Sequence, residues 1–366
     1  MMIVARRVVQ RHHRRIGSSF SSNFYSCPFF SSSSPPKSEQ DDDKTEAKQN
    51  TSITATNKAA IDATTTSLGQ VIFLNSSKSG TAILASLAIG DPTLAVFAGL
   101  GAYTATLTAQ SIGLNEQSCR DGLFGYNGAL IGCATSVFGS SFVPVGVAYT
   151  MLGASATSVL CASLNKALSQ PQWTWSFNAV ALTSILRMKP LEAVAETPAT
   201  TDVAATSLSN SVGVMDFVAS PLVGISQIFV VDSALTGAGI IGSIGMYSPK
   251  LGVHALGGST LGCLVGLLFG ADTSDVIYGL WGYNSALASM AVGTFFVHSR
   301  EAIALSAGSA AASAALFGAL QPVFGSLGAP CLTLPFCAVT SACYLLDGQV
   351  PGLKLAKEPH SPEKNA

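Results

Sequence analysis

Three separate motifs in this chain occur twice, at almost one spacing. GLFGYNGAL at residues 122–130 and GLWGYNSAL at residues 279–287 share seven of nine positions at an offset of 157. Upstream, LGQVIFLNSSKSG (68–80) pairs with ISQIFVVDSALTG (225–237), and Gln70 to Gln227 is again 157. Downstream, QWTWSFNA around Thr174 pairs with CLTLPFCA around Thr333 at 159. Only two residues of slippage separate the motifs, so the fold must accommodate two copies of one module. Paired modules of this kind are characteristic of channels and secondary transporters, whose solute site lies near the membrane midplane where the repeats meet.

The composition says in which solvent the two copies fold. Of 366 residues, 48% are hydrophobic and 11% charged, and mean hydropathy is +0.43, outside the soluble globular range. Residues 122–165 and 302–346 contain no Asp, Glu, Lys or Arg, and each stretch can cross a bilayer about twice at roughly 20 residues per crossing. A net charge of -1 offers no basic face to a nucleic acid. The eight cysteines form no CxxC pair and sit mostly among apolar neighbours, which predicts small buried side chains rather than metal ligands or disulfides.

Outside the repeats the chain is polar. The first 38 residues carry Arg6, Arg7, Arg11, Arg14 and Arg15 with no acidic residue, then run rich in Ser and Phe, like an organellar transit peptide. A mitochondrial or plastid membrane is one expected location, the plasma membrane the other. Residues 39–66 are charged and aperiodic, which predicts a disordered spacer. The expected divisions are therefore a targeting-like segment and spacer over 1–66, a first membrane repeat over 67–186, an inter-repeat loop over 187–211, a second repeat over 212–350 and a polar tail over 351–366. An odd number of crossings per repeat would invert one repeat against the other. The basic amino-terminal segment then places both tails inside, because the loop carries Arg187 and Lys189 against Glu192, Glu196 and Asp202.

Several isolated signals have ordinary explanations. Gly237-Ala-Gly239-Ile-Ile-Gly242 spells a dinucleotide fingerprint, yet it lies inside an apolar run without the acidic residue such a site needs. The 35 glycines are expected to let membrane helices pack closely. His254 reads as a hydrogen-bonding histidine rather than a proton relay, since its repeat counterpart is Phe97. Asp232 has the neutral counterpart Asn75, so no symmetric ion site is expected. The paired glutamines differ from these, because an amide in an apolar segment is costly and both halves keep one at the same register. Thr174 and Thr333 share a register too, although a Thr hydroxyl can simply bond back to its own helix.

Taken together, GQVIF and SQIFVVD, GLFGYN and GLWGYN, HALGGSTLG after Pro249, and PCLTLPF resemble the urea transporters over roughly residues 68–346. The resemblance implies an all-α polytopic membrane protein: two inverted repeats, about ten transmembrane helices and two re-entrant pore half-helices, assembled as a homotrimer with one pore per protomer. It implies passive passage of urea without a cofactor or coupled ion. Gln70 and Gln227 match the glutamines at the two mouths, Phe73 and Val230 the slot-lining positions, and Thr174 and Thr333 the waist. The signature residues Gly125, Tyr126, Asn127, Gly282, Tyr283 and Asn284 look structural. Two departures bear on loop geometry: the family usually has Asn-Pro where this chain has Asn75-Ser76-Ser77 and Ser233-Ala234, and Pro where this chain has Ser176.

Chemistry fits that reading. Urea is neutral and planar, so its lost hydration must be matched by donors and acceptors in an otherwise apolar slot, and Gln and Thr supply both. Flat walls such as Phe73 would admit a thin solute edge-on and exclude hydrated ions. A pore for another small amide, ammonia or water is the nearest alternative. A membrane enzyme is disfavoured, because the repeated motifs hold neither a nucleophile with a base nor a metal-ligand cluster.

Overall fold

The computed structural model describes residues 45–139, 142–195 and 213–365, and the side chains of 45–57 and 188–195 are left aside. The described chain is all-helical. The first half runs α1 (Thr45–Gln70), α2 (Ser77–Gly90), α3 (Pro92–Ser111), α4 (Glu116–Arg120), α5 (Tyr126–Phe138), α6 (Val143–Ala167) and α7 (Trp175–Ala195). The second runs α8 (Val214–Ser226), a 3₁₀ turn (Gln227–Phe229), α9 (Ala234–Tyr247), α10 (Pro249–Leu268), α11 (Thr273–Ile277), α12 (Tyr283–Phe295), α13 (Arg300–Ser326) and α14 (Leu334–Tyr344). Helices α2 to α6 each begin 157 residues before their counterparts α9 to α13, and α7 begins 159 before α14. The repeat read from the motifs is thus a repeat of helix starts.

The same local chemistry sets those starts. Asp91 accepts from the Leu94 amide and Ser248 from the Leu251 amide, each just before a proline at the head of α3 or α10. Close approach of the helices depends on glycine. A Cβ at Gly101 of α3 would lie 2.0 Å from the Gly128 carbonyl of α5, and one at Gly262 of α10 would lie 2.2 Å from the Trp281 carbonyl. The halves meet along α2 and α9, where the Ser243 hydroxyl donates to the Ser79 carbonyl (2.8 Å). Of the fingerprint-like glycines, a Cβ at Gly237 would clash with the Leu222 carbonyl (1.9 Å) and one at Gly239 with Ser86, so these two serve packing, while Gly242 faces open space. His254 bonds Ser306 (2.7 Å), a hydrogen-bonding role as expected. The seven described cysteines are all buried and none forms a disulfide.

Among the described residues, α6, α10 and α13 are long and apolar enough to cross a bilayer singly, and α8 with α9 would make a fourth span bent by 78°. The other helices fall short on length or hydropathy. At 14 residues, α2 reaches only about 21 Å of a core about 30 Å thick. The integral membrane character read from composition therefore holds.

Three polar segments differ from expectation. Thr45 to Thr66 is helical rather than a spacer: Gly and Pro are absent from it, and Thr64 and Thr66 turn their hydroxyls back onto the carbonyls of Ala60 and Asp62. The stretch from Arg187 stays helical to Ala195, and the rest of the expected loop, 196–212, lies outside the described residues, as does the basic segment 1–38. The tail is a docked strap. Its Ala356 amide donates to the Phe295 carbonyl (2.8 Å), His360 stacks on Tyr247, and Glu363 accepts from Ser248 and the Lys250 amide. The Asn365 amide donates to the Thr294 carbonyl (2.7 Å).

Candidate functional site

Gln70 and Gln227 each stand where a helix ends in a tight bend. In the first half Leu74 N–H returns to the Gly69 carbonyl (3.0 Å); in the second, Val231 N–H returns to the Ser226 carbonyl (3.3 Å), the same bond shifted by 157. The residue at each apex is left-handed, Phe73 at φ 66° and Val230 at φ 61°. Ser76 and Ser233 then cap α2 and α9 by accepting from Ser79 N–H and Thr236 N–H, 3.2 Å in both. These hydroxyls do the capping where the family pattern has Asn-Pro, so the departure leaves both bends equivalent. The glutamines themselves differ. Gln70 is buried and donates to the Asp121 carbonyl (2.8 Å), whereas Gln227 is half-buried and makes no such bond to Tyr278.

The two threonines meet. Thr174 Oγ1 lies 2.7 Å from Thr333 Oγ1, and both residues are nearly fully buried. Each stands at the start of a helix, directly after a second left-handed residue, Trp173 at φ 49° and Leu332 at φ 48°. Among the described non-glycine residues the positive-φ set is therefore two repeat-related pairs. Ser176, where proline is usual, brings an amide that needs an acceptor, and the Gln172 side-chain oxygen takes it at 3.1 Å. Pro335 occupies the matching place in α14 and has no amide to satisfy.

Gln70, Phe73 and Thr174 line one open-mouthed cavity, together with Tyr126, Gln172, Trp173, Phe295 and Phe336. Its walls are aromatic. Phe73 meets Phe295 edge-on at 5.9 Å, and Trp173 meets Phe295 at 5.0 Å and Phe336 at 6.0 Å. Gln227 and Val230 do not line this cavity. Sequence reasoning did not single out Gln172, Trp173, Asn178, Phe295, Phe336 or Cys337, although all but Phe295 lie inside the paired motif QWTWSFNA and CLTLPFCA. Asn178 and Cys337 are repeat counterparts, both against the threonine pair.

Five of the six signature residues make close contacts or hydrogen bonds around this arrangement. A Cβ at Gly125 would sit 2.1 Å from Ser67 Oγ, and one at Gly282 2.4 Å from Ser259 Oγ. Tyr126 and Tyr283 donate their hydroxyls to the carbonyls of Trp173 and Leu332. Asn284 donates to the Leu332 carbonyl (3.1 Å) and accepts from Phe336 N–H (3.2 Å). Asn127 is fully buried, and neither end of its amide meets a hydrogen-bond partner among the described residues.

Apolar spans, two helical modules in one register and a ring-walled cavity lined by one of two paired buried hydroxyls define an integral membrane protein of the transporter and channel class. The model of the family described as "Urea transporter" matches residues 61–348. The chain belongs to the urea transporter family. It is 30% identical over 304 residues to Urea transporter 1 of Ovis aries, which covers 78% of this chain and 77% of the relative; Urea transporter 1 of Rattus norvegicus matches to the same extent.

Proposed function

We propose that this chain carries urea passively across a membrane, and that the solute passes from Gln70 along the ring-walled cavity to the Thr174 and Thr333 hydroxyls. The observation that carries the reading is the threonine pair: two buried hydroxyls from repeat-related positions, 2.7 Å apart, one of which, Thr174, lines the cavity that Gln70 also lines. Burying an amide without replacing its hydrogen bonds costs several kcal/mol. At the waist the hydroxyls can exchange the bond they make with each other for bonds to the solute, which keeps that cost low. Aromatic walls strip the hydration that an ion cannot lose. Gln227 and Val230 then serve the opposite mouth.

With this goes the finer architecture: two inverted membrane repeats over 67–186 and 212–350, about ten crossings, two re-entrant half-helices, and a homotrimer with one pore per protomer. The 78° bend between α8 and α9 supports a re-entrant element. The arginine-rich segment 1–38 addresses an organellar membrane; a reporter fused to it would stay diffuse in the cytosol if this part is wrong. Stopped-flow light scattering on proteoliposomes containing the full chain tests the function. Rapid urea equilibration, needing no ion gradient and exceeding that of ammonia and water pathways, is expected; urea flux at the bare-lipid rate overturns the reading.

A further inference from the structure

The waist is symmetric in its threonines and asymmetric in what holds them. Asn178, one turn after Thr174 in α7, reaches across the repeat interface, and its own counterpart on α14 is Cys337. The orientation of the Asn178 amide is dictated by its neighbours. Its Oδ1 faces the Thr333 backbone N–H (3.1 Å), which can only donate, and its Nδ2 faces the Thr174 carbonyl (2.9 Å), which can only accept. The second Nδ2 hydrogen therefore donates to Thr333 Oγ1 (2.9 Å). One lone pair of the Thr333 hydroxyl is thereby filled. At the far end of the pair, Thr174 Oγ1 lies 3.1 Å from Cys337 Sγ, and a thiol sulfur is a weak acceptor.

A strong donor at one end and a weak acceptor at the other give the chain a direction: Asn178 N–H to Thr333, Thr333 O–H to Thr174, Thr174 O–H to sulfur. The most loosely held hydrogen is the last one, and Thr174 is the threonine that lines the cavity. We propose that Asn178 is a positioning residue that sets this order, so that the waist offers the Thr174 hydrogen to a solute acceptor and favours solutes bearing a strong carbonyl acceptor. The inference rests on the transport reading above and specifies its selectivity. Cys337 takes part by holding that hydrogen weakly enough to be released.

Thiourea separates the effects, since it keeps urea's N–H groups and replaces the carbonyl with a weaker sulfur acceptor. Permeabilities to urea and thiourea are measured in proteoliposomes for the full chain, Asn178→Cys, and the exchange Asn178→Cys with Cys337→Asn, with melting temperature taken on the same preparations. Asn178→Cys is expected to slow urea roughly two- to twelve-fold and to lower the urea-to-thiourea ratio by a similar factor. The exchange restores a strong amide donor from the other helix and should recover most of the ratio. Equal slowing of both solutes, or recovery of melting temperature without recovery of the ratio, would reduce Asn178 to a packing residue and overturn the inference. A wild-type chain without urea flux would bring down the transport reading itself, an outcome readable before any variant is compared.

Discussion

In the first half, the left-handed residue after Gln70 is Phe73 and the one before Thr174 is Trp173; the second half has Val230 and Leu332 there. Gln172 on one side answers to Cys331 on the other, and Asn178 to Cys337. The φ angles of the two left-handed pairs agree within about 5°, while the side chains differ in size and polarity. The contrast teaches that the shared register preserves bends, caps and close helix approaches, whereas the lining residues are free to diverge. Each position in one half thus has a control in the other.

The asparagine pair should show the largest inequality. Asn284→Leu strands the Phe336 amide and removes a bond to the Leu332 carbonyl, and should destabilise the protein by about 1–3 kcal/mol. Asn127→Leu replaces a buried amide that has no partner with an apolar group of similar shape, so it should be neutral or stabilising. Equal losses of melting temperature would show that Asn127 is satisfied in some way the geometry does not reveal.

The waist threonines come next. Thr174→Val and Thr333→Val should each slow urea roughly two- to twelve-fold, the loss of one hydrogen bond. They should differ in melting temperature, with Thr333→Val lower, because only that change takes the oxygen acceptor from the Asn178 amide hydrogen and leaves it the weaker Cys337 sulfur at 3.5 Å. Unchanged urea permeability in both would remove the waist from the mechanism.

A smaller difference is expected between the tyrosines. The Tyr126 hydroxyl bonds the Trp173 carbonyl and accepts from Gln172, while the Tyr283 hydroxyl donates to a Leu332 carbonyl that Asn284 also serves. Tyr126→Phe should therefore cost about 0.5–1.5 kcal/mol more than Tyr283→Phe in chemical denaturation, and the reverse ranking would break the comparison.

The strap on the second half should respond to pH, weakly. Burial, helped by the Lys364 charge, lowers His360 from its ordinary 6.5, with Glu363 opposing. Burial raises the Glu363 carboxyl, but its bonds from Ser248 and the Lys250 amide leave it, on balance, below its ordinary 4.5. At both groups the docked strap binds protons less readily than the free one, so docking should weaken as pH falls below about 6.5 and again through the carboxylate range. Hydrogen exchange at Ala356, corrected for intrinsic rate, should show less protection near pH 5.5 than near pH 7.5; equal protection would sever the strap from these two groups.

How much of this was legible in the sequence depends on whether both copies kept a residue. Gln70 with Gln227 and Thr174 with Thr333 stood out because each pair is identical, and the register of the helices followed from them. Asn178 and Cys337 lie inside the paired motif QWTWSFNA and CLTLPFCA but share a place without sharing a chemistry, so the repeat did not single them out. Trp173 and Leu332 escaped for the same reason, and a left-handed φ leaves no trace in residue type when glycine is not used. Residues 45–66 of α1 read as polar because composition cannot see hydroxyls, such as those of Thr64 and Thr66, folded back onto a helix. The strap read as a polar tail because its bonds reach residues 247–250 and 293–296, far away in the chain.

Four bulky residues, Phe73, Trp173, Val230 and Leu332, hold backbone conformations that suit glycine. Each such bend stores about 1–3 kcal/mol, or roughly 4–12 together, comparable to the whole net stability of an ordinary domain. The pore bends are a loaded spring, and the surrounding helices are the clamp. When heat or detergent slackens the clamp, the bends should relax first, so urea flux should vanish at a temperature below the loss of helical circular dichroism; loss of both at one temperature would mean that the spring and the clamp are a single cooperative unit.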